Sequence, residues 1–102
     1  MSHLPQLVSS ALGATWGRPG PDGQPEVSYE DLGPGGRDVV RLAASSSDMW
    51  VPLLAAMAGE NRRALGALEE TLALIRESLE EENVDVLAQL LERGRNWRKA
   101  DS

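Results

Sequence analysis

Between Leu53 and Leu79 the apolar residues return at steps of three and four: Leu53, Leu54, Met57, then Ala64, Leu65, Leu68, Leu72, Ile75 and Leu79. That is the helical period, held over about seven turns of 3.6 residues each, and it excludes a sheet for this half of the chain. From Leu65 onward the spacing resembles the seam of a helix bundle. The helix is expected to start at Asp48, behind Ser45, Ser46 and Ser47, one of which serves as N-cap. Asp48 in the first turn offsets the helix dipole, Pro52 falls just inside that turn, and Gly59 predicts a bend.

The run Glu80-Glu81-Glu82-Asn83 ends this helix, and Asn83 is placed to cap a last one carrying Val84, Leu87, Leu90, Leu91 and Trp97. Together they predict a long antiparallel helical hairpin. At the other end Leu4, Leu7, Val8, Ala11, Leu12 and Thr15 or Trp16 mark a separate N-terminal helix over residues 3–16, with Pro5 in its first turn and Gly17 closing it. Residues 17–36 are rich in Gly, Pro and Asp and predict a flexible loop, long for a compact domain. Arg37 to Ala44 then reads as two helical turns.

The fold class is therefore all-α: an N-terminal helix, a short helix, then the long hairpin, in a single domain over residues 1–102. The composition agrees, since Leu, Ala and Val dominate and there is no Phe. The seam is longer than the remaining chain covers, so a second copy is expected to complete it as a two-fold homodimer.

Charge and composition exclude several classes of function. A net charge of −6, with basic residues gathered only at Arg93, Arg95, Arg98 and Lys99, is wrong for nucleic acid. That cluster falls where cations offset the dipole of a last helical turn. Without cysteine there is neither a disulfide framework nor a thiolate metal site. No apolar run approaches the roughly 20 residues that span a bilayer, and no secretory leader pattern is present, so the expected location is cytoplasmic.

Few residues are suited to chemistry. There is one histidine, and no G-x-S-x-G, P-loop, H-E-x-x-H or G-x-G-x-x-G. The acidic groups Glu69–Glu70 and Glu80–Glu82 read as solvated helix faces. Arg41 stands out on an apolar stretch between Val40 and Leu42, where a half-buried guanidinium needs an anion: a ligand carboxylate, or Asp38 one turn earlier. Trp50 near a helix start and His3 near the terminus are weaker candidates, readable as core and as surface.

Taken in order, SHLPQLVSSAL, GGRDVVRLAASSSDMW and the hairpin resemble the C-terminal domain of the prephenate and arogenate dehydrogenases. That family carries S-H-L-P-H, then G-G-F-R/K-D-x-T-R-I-A-x-S-D-P-x-M-W, then a helical hairpin, and the resemblance spans everything except residues 17–33. It implies tyrosine biosynthesis, a part of aromatic amino acid biosynthesis. An NAD(P)-binding Rossmann domain packs against the all-helical one, which dimerises, and prephenate is oxidatively decarboxylated in the cleft. On the match, Arg41 holds a substrate carboxylate, Asp38 lies near the cleft entrance, Trp50 lies beside the substrate pocket and His3 lines the site. The ligand expected is thus a prephenate-like dicarboxylate.

Departures accompany the match. Gln6 stands where the second histidine is usual, Val40 replaces Thr, and Ser46–Ser47 replace Asp-Pro. Gly36 replaces Phe, which is expected to open space beside Arg41. The family's cofactor domain and catalytic-base histidine precede the matched segment. The chain alone is therefore expected to bind no NAD(P), to hold no catalytic residue or metal, and not to catalyse the dehydrogenase reaction. Its abrupt first helix then reads as the middle of a longer protein. The alternative is a freestanding helical dimer acting as a protein-interaction or regulatory module. A chorismate-mutase-type helical enzyme is disfavoured, because Arg62, Arg63 and Arg76 read as surface residues.

Overall fold

A computed structural model describes residues 3–100. Five α-helices follow one another: α1 His3–Trp16, α2 Pro34–Val39, α3 Ser47–Ala56, α4 Ala58–Glu80 and α5 Val84–Ala100. Two 3-10 turns, Tyr29–Asp31 and Arg41–Ala44, lie between them, and the described residues contain no strand. The all-α expectation holds. The chain divides into two compact units between Arg63 and Ala64, inside α4.

In the first unit α1 has the expected limits. Gly17 N–H closes it by donating to the Gly13 carbonyl at 2.9 Å, and a Cβ on Gly17 would lie only 3.0 Å from that same oxygen. Beyond it the Gly/Pro-rich segment folds back on itself. Pro19 and Pro25 form an isolated antiparallel bridge, Gly20 N–H donates to the Gln24 carbonyl at 2.7 Å, and Val27 N–H reaches the Trp16 carbonyl at 3.0 Å. Gly23 takes φ 81°, the left-handed conformation that glycine adopts at little cost.

Three boundaries differ from the sequence reading. The short helix α2 starts at Pro34, not Arg37, because proline pre-sets the first helical turn and supplies a position that needs no N–H donor. It stops at Val40 (φ −96°, ψ 6°), after which Arg41–Ala44 tightens into a 3-10 turn. Second, α3 starts at Ser47 with Ser46 at the N-cap position, yet no serine side chain bonds back to the helix, and Pro52 lies in the helix interior. Third, the long helix expected from Asp48 is interrupted at Met57 (φ −113°, ψ 33°), two residues before Gly59. Asn61 stabilises that break: its Nδ2 donates to the Leu54 carbonyl at 3.0 Å, satisfying one of the acceptors freed where α3 ends.

The second unit is the helix–turn–helix of α4 and α5. Glu82 N–H donates to the Leu79 carbonyl at 3.3 Å and Asn83 N–H to the Ser78 carbonyl at 2.8 Å, with Glu82 at φ 54°. That pair of bonds is a Schellman cap, with glutamate in the place usually taken by glycine. Asn83 then caps α5 as expected, its Oδ1 accepting from Val86 N–H at 3.2 Å. The basic residues Arg98 and Lys99 occupy the last turn of α5.

Candidate functional site

The first unit is organised where α1 meets the Arg41–Ala44 turn. One stripe of α1, Gln6–Ser9–Gly13, faces the turn at both ends. Gln6 Nε2 donates to the Leu42 carbonyl at 3.0 Å, and a Cβ on Gly13 would meet Ala43 Cβ at 3.4 Å. Small residues at Ser9 and Gly13 allow this approach. Gln6 is 4% exposed and Ser9 1%, while Val40, just before the turn, is the buried hydrophobic residue among the described residues of this unit.

The four residues singled out in the sequence fall into two pairs. His3 and Trp50 meet edge to face, with ring centroids 5.9 Å apart and planes at 84°. Such a contact joins the start of α1 to α3 and stabilises by about 0.5–1.5 kcal/mol beyond area burial. Asp38 and Arg41 form the second pair, Arg41 Nε lying 3.5 Å from Asp38 Oδ1. Here the expectation of a half-buried guanidinium is corrected: the side chains are 70% and 77% exposed, because the break at Val40 turns Arg41 outward while Val40 takes the interior position. An exposed pair of this kind contributes well under about 1 kcal/mol, so Asp38 holds Arg41 only weakly.

Polar groups left unpaired mark the same region. Gln6 Oε1, Ser9 Oγ and Trp50 Nε1 are buried without a hydrogen-bond partner. An unsatisfied buried group costs about 1–3 kcal/mol, so these three atoms are a local cost to the packing of this unit. Their chemistry is mixed: an acceptor, a hydroxyl that does both, and an indole donor. Sequence reasoning singled out Trp50 and noted Gln6, but missed Ser9. The signal for Ser9 was its place three residues beyond Gln6 on the same helix face.

Gly36 also reads differently in three dimensions. A Cβ placed there would lie 3.1 Å from Leu32 Cδ2, so Leu32 already fills the space that the missing aromatic was expected to vacate. Arg37 holds the neighbouring turn by stacking over Tyr29 at 5.2 Å and donating to the Glu30 carbonyl at 3.1 Å. A hollow of about 270 Å³ lies between the end of α1 and this turn, walled by Trp16, Val27, Tyr29 and Leu32, and includes none of the four candidate residues.

In the second unit Arg76 is 78% exposed and pairs with Glu80 at 3.6 Å, and in the first Arg62 and Arg63 are exposed, as expected. No group of three or more metal-ligating side chains occurs among the described residues, and no described helix is long and apolar enough to cross a membrane.

The described residues are all-helical, with an outward arginine and a tryptophan–histidine contact in the first unit and with Leu72 and Leu79 exposed on α4 in the second. The family described as "Prephenate dehydrogenase, dimerization domain" matches residues 1–93, and the chain belongs to that family. Comparison with curated proteins and with solved structures finds no match.

Proposed function

We propose that this chain is the substrate-binding and dimerisation portion of a cytoplasmic prephenate dehydrogenase of tyrosine biosynthesis. Dimerisation rests on how little the chain buries by itself. Val40 and Leu90 are the only hydrophobic side chains buried among the described residues, while Leu72, Leu79, Val84, Leu91 and Trp97 are 53–73% exposed. Residues 65, 68, 72, 75 and 79 of α4 repeat at a/d spacing, and a seam of that kind is completed by another helix pair. A second copy of the chain supplies one, in a two-fold homodimer.

Substrate binding rests on Arg41. Its guanidinium offers a planar fork to a carboxylate, and its bond to Asp38 is weak enough to exchange for one to a dicarboxylate such as prephenate. Trp50 contributes an apolar face for the ring of such a ligand, and His3 orients the indole.

NAD(P) does not fit these residues. A dinucleotide's pyrophosphate is held by a strand, a glycine turn and a helix N-terminus in succession, and the described residues contain no strand. We therefore assign hydride acceptance and proton abstraction to a separate domain, and expect no oxidation of prephenate from this chain alone. Calorimetric titration of prephenate into the chain and into Arg41→Ala tests the reading. A heat that disappears in the variant supports it, and equal heats, or none in either protein, overturn the substrate assignment.

A further inference from the structure

We propose that Gln6 is a positioning residue that fixes the Arg41–Ala44 turn on α1 and thereby aims Arg41. A glutamine in this interior place is costly. It is 96% buried by the complement of its 4% exposure, and its Oε1 has no partner. An aliphatic side chain of similar size would avoid that penalty. What the amide provides is two directed donor bonds, Nε2 to Ser10 Oγ at 3.1 Å along α1 and Nε2 to the Leu42 carbonyl at 3.0 Å, which crosses 36 residues of sequence.

The second bond falls on the residue next to Arg41. Arg41 itself has only an exposed ion pair to hold it, so the direction of its side chain depends on the backbone of the turn. Within the turn, Ala43 N–H donates to the Val40 carbonyl at 3.0 Å and Ser45 N–H to the Leu42 carbonyl at 3.1 Å. Leu42 O thus accepts from both Gln6 and Ser45, and the amide of Gln6 links the turn's internal bonding to α1. Below it Gly13 gives close approach without direction, since a methyl contact fixes distance and not register. Gln6 supplies the register.

The consequence for ligand binding rests on the substrate reading above, so the test has arms with and without ligand. Gln6→Leu removes both donors at nearly constant volume, Gln6→Glu keeps the shape and faces a carboxylate to the Leu42 carbonyl, and Gln6→His restores a ring N–H donor. Amide hydrogen exchange at Ala43 and Ser45 is expected to quicken about fivefold or more in Gln6→Leu and Gln6→Glu, the loss of one net hydrogen bond, with α5 unchanged. The order parameter of Arg41 Nε–H is expected to fall in parallel, and Gln6→His to return both towards wild type.

With prephenate, Gln6→Leu is expected to weaken binding about fivefold or more in the wild-type background and to add nothing in Arg41→Ala, the non-additivity of residues acting through one another. Unchanged exchange and Arg41 order in Gln6→Glu would overturn the proposal, as would a Gln6 effect on affinity that adds fully to that of Arg41→Ala. Should Gln6→Leu fail to fold, Gln6→Glu and Gln6→His carry the same comparison. If the wild-type chain gives no heat with prephenate, the substrate reading falls, and the ligand-free arms still decide the role of Gln6.

Discussion

The imidazole of His3 stands edge-on to the indole of Trp50, with centroids 5.9 Å apart, and this contact ties the first turn of α1 to α3. It gives both residues a common role that neither shows alone. His3→Ala is expected to shift the emission of Trp50 and to destabilise the first unit by about 1 kcal/mol, within the range of aromatic pairs. Denaturant melts of His3→Ala and Trp50→Phe beside the double variant check this, the two effects combining less than additively.

Arg41→Ala separates binding from stability. The ion pair with Asp38 is exposed on both sides, so the melting temperature is expected to change by no more than about 1–2 °C, a loss of a few tenths of a kcal/mol. Prephenate binding is expected to be lost. A large drop in melting temperature would show that Arg41 is structural.

Gly36 and Leu32 form a second testable pair. Gly36→Val places a branched side chain against Leu32, whose Cδ2 lies 3.1 Å from the position of a Cβ there, and is expected to cost about 1–3 kcal/mol by overpacking. The additional change Leu32→Ala is expected to recover part of that loss, read by chemical denaturation.

The turn after α4 offers a stabilising change. Glu82 holds φ 54° within a Schellman cap, where a Cβ is disfavoured. Glu82→Gly is expected to raise stability by about 0.5–1 kcal/mol, whereas Asn83→Ala, which removes the cap of α5, lowers it by about 1 kcal/mol. Thermal melts of the two variants move in opposite directions if the cap is as described.

Leu79 and Leu91 are 61% and 63% exposed on the chain alone. For the proposed homodimer, replacing both by Glu is expected to shift sedimentation from dimer to monomer and to lower the concentration dependence of the melting temperature, because folding and association are linked. A variant that sediments like the wild type would exclude these residues from the dimer interface.

Periodicity and local punctuation carried much of this architecture. The limits of α1, the cap at Asn83 and the basic last turn of α5 follow from the 3.6-residue period, the helix dipole and the chemistry of single residues, all local properties of the chain. The break between α3 and α4 was harder to place. Gly59 is the weak helix former nearby, yet the chain parts at Met57, where Asn61 can bond back to the Leu54 carbonyl. That choice depends on a partner seven residues away.

The sequence by itself determined the helical class, the N-terminal helix and the cap at Asn83, because these depend on spacing and residue type. Tertiary structure decided which residues face inward. The break after Val39 buries Val40 and exposes Arg41, Leu32 occupies the space above Gly36, and Gln6, a departure from the family pattern, proves to bond the turn beside Arg41. The last of these is a contact between segments 36 positions apart. A pattern of apolar spacing specifies the face of a helix, whereas register between two segments is fixed only once directed bonds form across them.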